Sequence, residues 1–212
     1  MNLKNVLSDQ TFQALAPIHD DTITGISFHS KHVQRGHLFV AITTSNVQHH
    51  IQEAINLGAK FILKDKDISL PEAMPDSSTI FIDVLNTRLA SAHIAATLHP
   101  GQPETVVAVT GTNGKTSVTH FLKQIWALLG LESACIGTTG IYGTMDVSDL
   151  STNGLTSPDP MTLHTILSNL HTRGCTHVAL EASSHGLDQQ RMDCLTLSAA
   201  GFTNLTHDHL DY

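Results

Sequence analysis

Cysteine is scarce. Cys135, Cys175 and Cys194 are odd in number, far apart and in no Cys-x-x-Cys spacing. That excludes a disulfide framework and a thiolate zinc site, and it fits a reducing compartment. Basic residues are also few: 11 lysines and arginines stand against 19 acidic residues, a formal net charge of −8. The diffuse positive field that grips nucleic acid or anionic lipid is therefore missing, and neither partner is expected. Fifteen histidines can carry the net charge upward as pH falls past their usual value, so charge arguments hold only near neutrality. No apolar run approaches the roughly 18 residues of a spanning helix, and the first residues lack the apolar core of a secretory signal. A soluble cytoplasmic protein is expected, and its 212 residues are enough for one large or two small domains.

Strand-like runs at 61–63, 79–82, 106–109 and 178–180 alternate with helix-like segments, which predicts an α/β fold with a mostly parallel sheet. One helix is expected from about Thr87 to Leu98. A clearer one follows Lys115, with Val118, Phe121, Leu122, Ile125, Leu128 and Leu129 recurring at three and four on a single face and Gly130 as its stop. Pro100-Gly101-Gln102-Pro103 is the strongest cluster of breakers, so the domains are placed at 1–99 and 104–212. After that boundary only about three strands are legible. The chain stops at Tyr212 without turn chemistry, as a fragment of a longer protein would.

Thr110-Gly111-Thr112-Asn113-Gly114-Lys115-Thr116-Ser117 follows an apolar strand and opens the amphipathic helix, the context of a phosphate-binding loop. Gly111 and Gly114 let the backbone turn tightly and bring N–H groups against phosphate oxygens. The helix N-terminus adds unpaired donors and partial positive charge. Lys115 reaches the β/γ oxygens and the Thr116 hydroxyl can hold Mg²⁺. The pattern departs from the full Gly-x-x-x-x-Gly-Lys-[Ser/Thr] loop at its first position, which is Val109. An ordinary glycine-rich strand-to-helix turn is the alternative.

Val178 to Glu181 reads as a buried strand ending in a carboxylate, followed by Ser183 and Ser184. Ligands of open parallel sheets bind beyond the carboxyl ends of strands, so Glu181 is a candidate to face the same magnesium. A last strand from about Ala199 delivers Thr206-His207-Asp208-His209 to that edge, where a histidine could hold a second metal. His49-His50 and the trio His29, His32 and His37 lack a supporting cysteine or a helical His-x-x-x-His pair, and are read as surface or hydrogen-bonding residues, with a zinc site in the first domain as the minor alternative.

With these residues in view, the chain resembles the Mur ligases, ATP-dependent amide-forming enzymes of peptidoglycan synthesis. The resemblance rests on Thr110 to Ser117, on Glu181-Ala182-Ser183-Ser184-His185-Gly186-Leu187 with Gln189 and Arg191, and on Phe202 to Tyr212. It is strongest to the branch that makes the tripeptide, whose uridine-binding N-terminal domain is similar to Gly25–Ala41 here. The resemblance implies a small N-terminal α/β domain and an incomplete P-loop domain. It implies that residues 111 to 117 hold ATP, with Lys115 on its phosphates, and that Thr116, Glu181 and His209 hold Mg²⁺. Lys115, Glu181 and His209 would be the catalytic set. Thr156, Ser157, Ser183, Gln189 and Arg191 would contact UDP-N-acetylmuramoyl-L-alanyl-D-glutamate, and Ser30, Thr43, Thr44 and Ser45 its uridine end. Departures occur at His29-Ser30-Lys31 (Asp-Ser-Arg in the family), at Leu155-Thr156-Ser157-Pro158 (Asn-Thr-Thr-Pro) and at Asn46-Val47 (Asp-Gly).

The implied reaction phosphorylates the D-glutamyl carboxylate with the γ-phosphate of ATP, and an amino group then attacks the acyl phosphate. A monomer is expected, and meso-diaminopimelate is the favoured amino acid, with an L-lysine-adding homologue as alternative. The family's carbamoylated lysine and amino-acid-binding domain would lie beyond Tyr212, so these 212 residues alone are expected to be inactive. Rivals are folylpolyglutamate synthetase or another Mur step, and a non-catalytic nucleotide-binding remnant. A GTPase would carry Asn-Lys-x-Asp, which does not occur.

Overall fold

The computed structural model describes residues 1–7, 21–70 and 78–207. The chain divides into two compact units, Met1–Ile94 and Ala95–Tyr212. The division falls a few residues before the Pro/Gly cluster.

In the first unit a short helix α1 (Leu3–Val6) precedes β1 (Ile26–Ser27), β2 (Leu38–Ala41), α2 (Val47–Asn56), β3 (Phe61–Asp65), β4 (Ile80–Val84) and α3 (Thr87–Leu98), within which the division falls. The four strands lie in chain order, β1-β2-β3-β4, and every pair is parallel. β2 is buried at all four positions, as expected of a strand covered on both faces. One core gathers Phe39 and Ile62 from the sheet with Val47, Ile51, Ala54 and Ile55 from α2. Those four recur at helical spacing, which fixes the face α2 turns inward. Lys64 on β3 is buried, with Nζ 2.8 Å from Asp83 Oδ1 and 3.0 Å from the Ile68 carbonyl.

The second unit contains β5 (Thr105–Thr110), α4 (Lys115–Leu128), β6 (Ser133–Gly137), β7 (Gly140–Gly143), α5 (Pro160–Thr172), β8 (His177–Glu181), α6 (Ser184–Asp188) and β9 (Ala199–Phe202). Its sheet runs β7-β6-β8-β5-β9, with only the β6/β7 pair antiparallel. Five strands therefore stand where about three were expected. β6 is fully buried but reads Ser-Ala-Cys-Ile-Gly, with a single β-branched residue, and β7 is only four residues long with glycine at both ends. Asp159 caps α5 by accepting from the Thr162 N–H, and Pro160 opens it. α5 buries Leu163, Ile166, Leu167 and Leu170 against Val106, Ala108, Ile136, Val178 and Leu180. α4 crosses in the opposite sense, from β5 to β6, which a right-handed connection places on the other face.

The six apolar residues of α4 do not form its buried face. Phe121, Ile125, Leu128 and Leu129 are exposed, and the one fully buried position is Thr119. Trp126, on the same side as Thr119, packs its ring 5.2 Å from that of His177 on β8. The arc spanned by the six residues is wide, and the sheet meets the helix about a quarter-turn from its centre. Burial pushes the Cys135 and Cys175 thiols up to about 11, so neither is a nucleophile near neutral pH.

Candidate nucleotide site

β5 is flanked by β8 and β9, with Val109 level with Glu181 and Thr110 level with Phe202. The loops leaving all three strands therefore emerge together at the carboxyl edge. The first turns sharply, with Gly111 at φ 124° and Gly114 at φ 89°, both in the left-handed region. Gly111 is demanded twice over, because a Cβ there would stand 2.1 Å from Thr203 Oγ1 and 2.9 Å from the Asn204 nitrogen.

Gly114 is the N-cap of α4 and supplies no side-chain acceptor. The first-turn N–H groups of Lys115, Thr116 and Ser117 thus lack a side-chain cap, which suits a polyanion. Two other loop amides are already taken. Thr112 N–H donates to the Asn204 carbonyl (2.9 Å) and Asn113 N–H to Asn204 Oδ1 (3.1 Å). This narrows the expectation of a cup of amides around Asn113 to the helix start.

Thr203 Oγ1 and Asn204 Nδ2 both donate to the Asn113 carbonyl, at 2.7 and 3.0 Å, and Thr206 N–H donates to Thr112 Oγ1. Residues 203–206 therefore strap the loop from outside. No sequence pattern announces such a role, since the strap is brought in by β9 pairing more than 80 residues away. Lys115 Nζ lies across the loop, donating to the Gly111 carbonyl at 2.6 Å and the Thr112 carbonyl at 3.0 Å.

Glu181 is buried at the end of β8. One carboxylate oxygen accepts from the Thr138 N–H (3.1 Å) and the other from the Thr138 hydroxyl (3.0 Å). Gly137 makes room for it, because a Cβ there would fall within 1.9 Å of Oε1. The carboxylate keeps lone pairs for a cation. Thr138 was not singled out from sequence; its hydroxyl also lies 2.9 Å from that of Thr156.

The remaining predicted contacts of this unit join one network. Ser157 Oγ donates to the Glu181 carbonyl (2.9 Å), accepts from the Ser183 N–H (2.9 Å) and lies 3.0 Å from Ser183 Oγ. Ser183 caps α6 by accepting from the Gly186 N–H. Arg191 Nη1 donates to the Ser157 carbonyl (2.7 Å), while its Nε and Nη2 hold Gln189 Oε1. Ser157 is only 1% exposed. Its hydroxyl is spent inside the protein, so it positions this network instead of reaching a ligand.

In the first unit Thr43, Thr44 and Ser45 are exposed beyond the end of β2, and the Thr43 hydroxyl donates to Asp65. Ser30 differs. It is buried, with Oγ 3.1 Å from His50 Nδ1, so the expected ligand contact is replaced by an internal one. His209 lies outside the described residues.

Residues 109–212 match the family described as Mur ligase middle domain. A UDP-N-acetylmuramoyl-L-alanyl-D-glutamate–2,6-diaminopimelate ligase of Brucella melitensis is 44% identical over 216 residues, covering 100% of this chain and 42% of that protein. The protein of the same name from Bradyrhizobium diazoefficiens is 45% identical over 195 residues, covering 90% and 38%. Among solved structures, a ligase of that name superposes with a TM-score of 0.73 at 23% identity, over 99% of this chain and 41% of the other. A UDP-N-acetylmuramoylalanyl-D-glutamyl-2,6-diaminopimelate–D-alanyl-D-alanyl ligase from Acinetobacter baumannii gives 0.54 at 16%, over 99% and 43%. The chain thus spans about two fifths of the length of the relatives it matches. Its similarity to Mur ligases extends over the whole of this chain.

Proposed function

We propose that this chain is the nucleotide-sugar- and ATP-binding part of a ligase that adds meso-diaminopimelate to UDP-N-acetylmuramoyl-L-alanyl-D-glutamate. The observation that carries this is the glycine-flanked loop at the head of α4, with Lys115 across it and the buried carboxylate of Glu181 level with its strand. The names of the relatives supply the substrate and the amino acid.

In this reading the first-turn amides of α4 and the Lys115 ammonium take the triphosphate, exchanging loop carbonyls for phosphate oxygens. Thr116 and Glu181, with His209, would hold Mg²⁺. When bound, the ion neutralises charge building on the phosphoryl oxygens. Thr138 fixes the Glu181 carboxylate before any ligand arrives, which removes reorganisation from the reaction. Arg191, locked by Gln189 and by the Ser157 carbonyl, orients the acceptor carboxylate, and Thr156 and Ser183 line the same edge. Thr43, Thr44 and Ser45 receive the uridine end. The carboxylate takes the γ-phosphoryl group, ADP leaves, and the incoming amine displaces phosphate to form the amide.

The test uses the natural gene product at its full length, supplied with ATP, Mg²⁺ and the UDP-muramoyl dipeptide. Ligation of diaminopimelate, with ¹⁸O moving from carboxylate to phosphate, is expected. Ligation of L-lysine instead overturns the amino-acid assignment, and absence of ¹⁸O transfer overturns the acyl phosphate.

A further inference from the structure

We propose that α2 binds a divalent transition-metal ion of the zinc class through His49, His50 and Glu53. His49 and Glu53 are four residues apart and His50 and Glu53 three, the two spacings that share a helix face. One ligand atom from each of the three lies within 4.8 Å of the others. Histidine spacing alone hides this, because the third ligand is a carboxylate, and His-x-x-x-Glu carries no histidine or cysteine at the fourth place.

Two further observations favour a metal over a chance cluster. Glu53 Oε2 is shut away from water and has no hydrogen-bond partner among the described residues. A carboxylate oxygen so placed is unfavourable unless a proton or a cation satisfies it. His50 is also held from behind. Its Nδ1 lies 3.1 Å from Ser30 Oγ, and Ser30 is buried in the turn before β2. With Nδ1–H donating to that hydroxyl, Nε2 keeps its lone pair for a metal, the arrangement in which an outer partner sets tautomer and ring orientation. The helix itself is anchored by buried Val47, Ile51, Ala54 and Ile55, so the three side chains project from a fixed backbone.

Two imidazoles and one carboxylate select the ion. Nitrogen donors suit Zn²⁺ and its neighbours, whereas Mg²⁺ and Ca²⁺ require mostly oxygen. Three protein ligands leave at least one position for water or for a donor atom of a bound molecule. His49, His50, Glu53 and Ser30 all lie in the first unit, whereas the nucleotide loop belongs to the second.

The test is equilibrium dialysis of the chelator-washed full chain against Zn²⁺ with millimolar Mg²⁺ present. One equivalent is expected, and Glu53→Gln and His49→Asn should each weaken it by about 10-fold or more. Glu53→Gln keeps the shape while removing the charge, and a thermal melt confirms that it folds. Ser30→Ala should retain the stoichiometry, weaken binding by about 10-fold and change the visible spectrum of the Co²⁺ form, as a positioning residue would. Zn²⁺ uptake that is absent in the wild type, or unchanged in a folded Glu53→Gln/His49→Asn double variant, overturns the proposal.

Discussion

The two sheets differ in how their strands are ordered, and that difference decides where each unit can hold a ligand. In the first, β1 to β4 follow chain order, so every crossover steps in one direction. In the second, the chain leaves β5 to one side, returns through β8, and then adds β9 on the other side. Reversal of direction beside β5 separates the loops above it and leaves a crevice at the carboxyl ends. The loop of Gly111 and Gly114 sits there. The first sheet has no reversal, and the sites proposed for it lie accordingly on a loop, Thr43 to Ser45, and on the helix α2.

The largest expected effect breaks this contrast most directly. Lys115→Ala in the full-length enzyme should lower ATP-dependent turnover on the order of 10²-fold, as removal of a preorganised charge beside a phosphoryl group does. A variant with undiminished turnover would show that the crevice is not the phosphate site. Next comes Ser157→Ala, which takes the acceptor from the half-buried Ser183 N–H and should cost about 1 kcal/mol. Amide exchange should quicken at Ser183 and Gly186, and denaturant melts should shift to match. Exchange that stays slow would mean that water or a neighbour replaces the hydroxyl.

The second unit's site was far more legible than its surroundings. Gly111, Gly114 and Lys115 announce themselves because backbone conformation and charge restrict what those positions tolerate, and Glu181 because a carboxylate ends an apolar strand. Thr138 was invisible, and Asn204 stood out only as part of the Phe202–Tyr212 segment with no role attached, since each acts through a partner distant in sequence: Glu181 is 43 residues away and Asn113 is 91. α3 was legible to the residue, whereas β6 was hidden by its small side chains and the inward face of α4 by an apolar arc wider than the sheet it meets. Periodicity reports which side of a helix is apolar, but the sheet's position decides which part of that side is covered. In the first unit Ser30, expected at the uridine end of the substrate, is buried with its hydroxyl beside His50, a neighbour 20 residues along the chain that spacing does not reveal.

A smaller effect sharpens the first unit. Asp65 at the end of β3 accepts from the Thr87 N–H at 2.6 Å and the Thr87 hydroxyl at 3.0 Å, and from the Thr43 hydroxyl as well. One carboxylate therefore caps α3 and fixes the loop after β2, supplying by side chain what topology supplies in the other unit. Asp65→Ala should destabilise by about 1–2 kcal/mol, because the Thr87 N–H and hydroxyl lose their acceptor while the Asn86 cap on the Leu89 N–H remains. It should also raise KM for the UDP-substrate with little change in kcat in the full-length enzyme. A change confined to kcat would detach the Thr43 loop from substrate binding.

The smallest effect concerns Asp149 and Arg173 in the second unit. Arg173 Nη2 lies 2.6 Å from Asp149 Oδ2 and its Nη1 donates to the Asp146 carbonyl, so the guanidinium clasps the loop before α5. The hydrogen bond from Arg173 holds the Asp149 carboxyl below the usual carboxylate value. A carboxylate depressed in the folded state contributes stability above its unfolded value, and that contribution is lost as pH falls through the lower, folded one. The difference in melting temperature between wild type and Asp149→Asn should therefore be small at neutral pH and vanish in strong acid. It should also shrink with added salt, because both side chains are solvent-screened. If the difference persisted unchanged at low pH and high salt, the clasp would owe its strength to shape and not to charge. The loop would then be held as the Asn204 strap holds its own, by neutral hydrogen bonds alone.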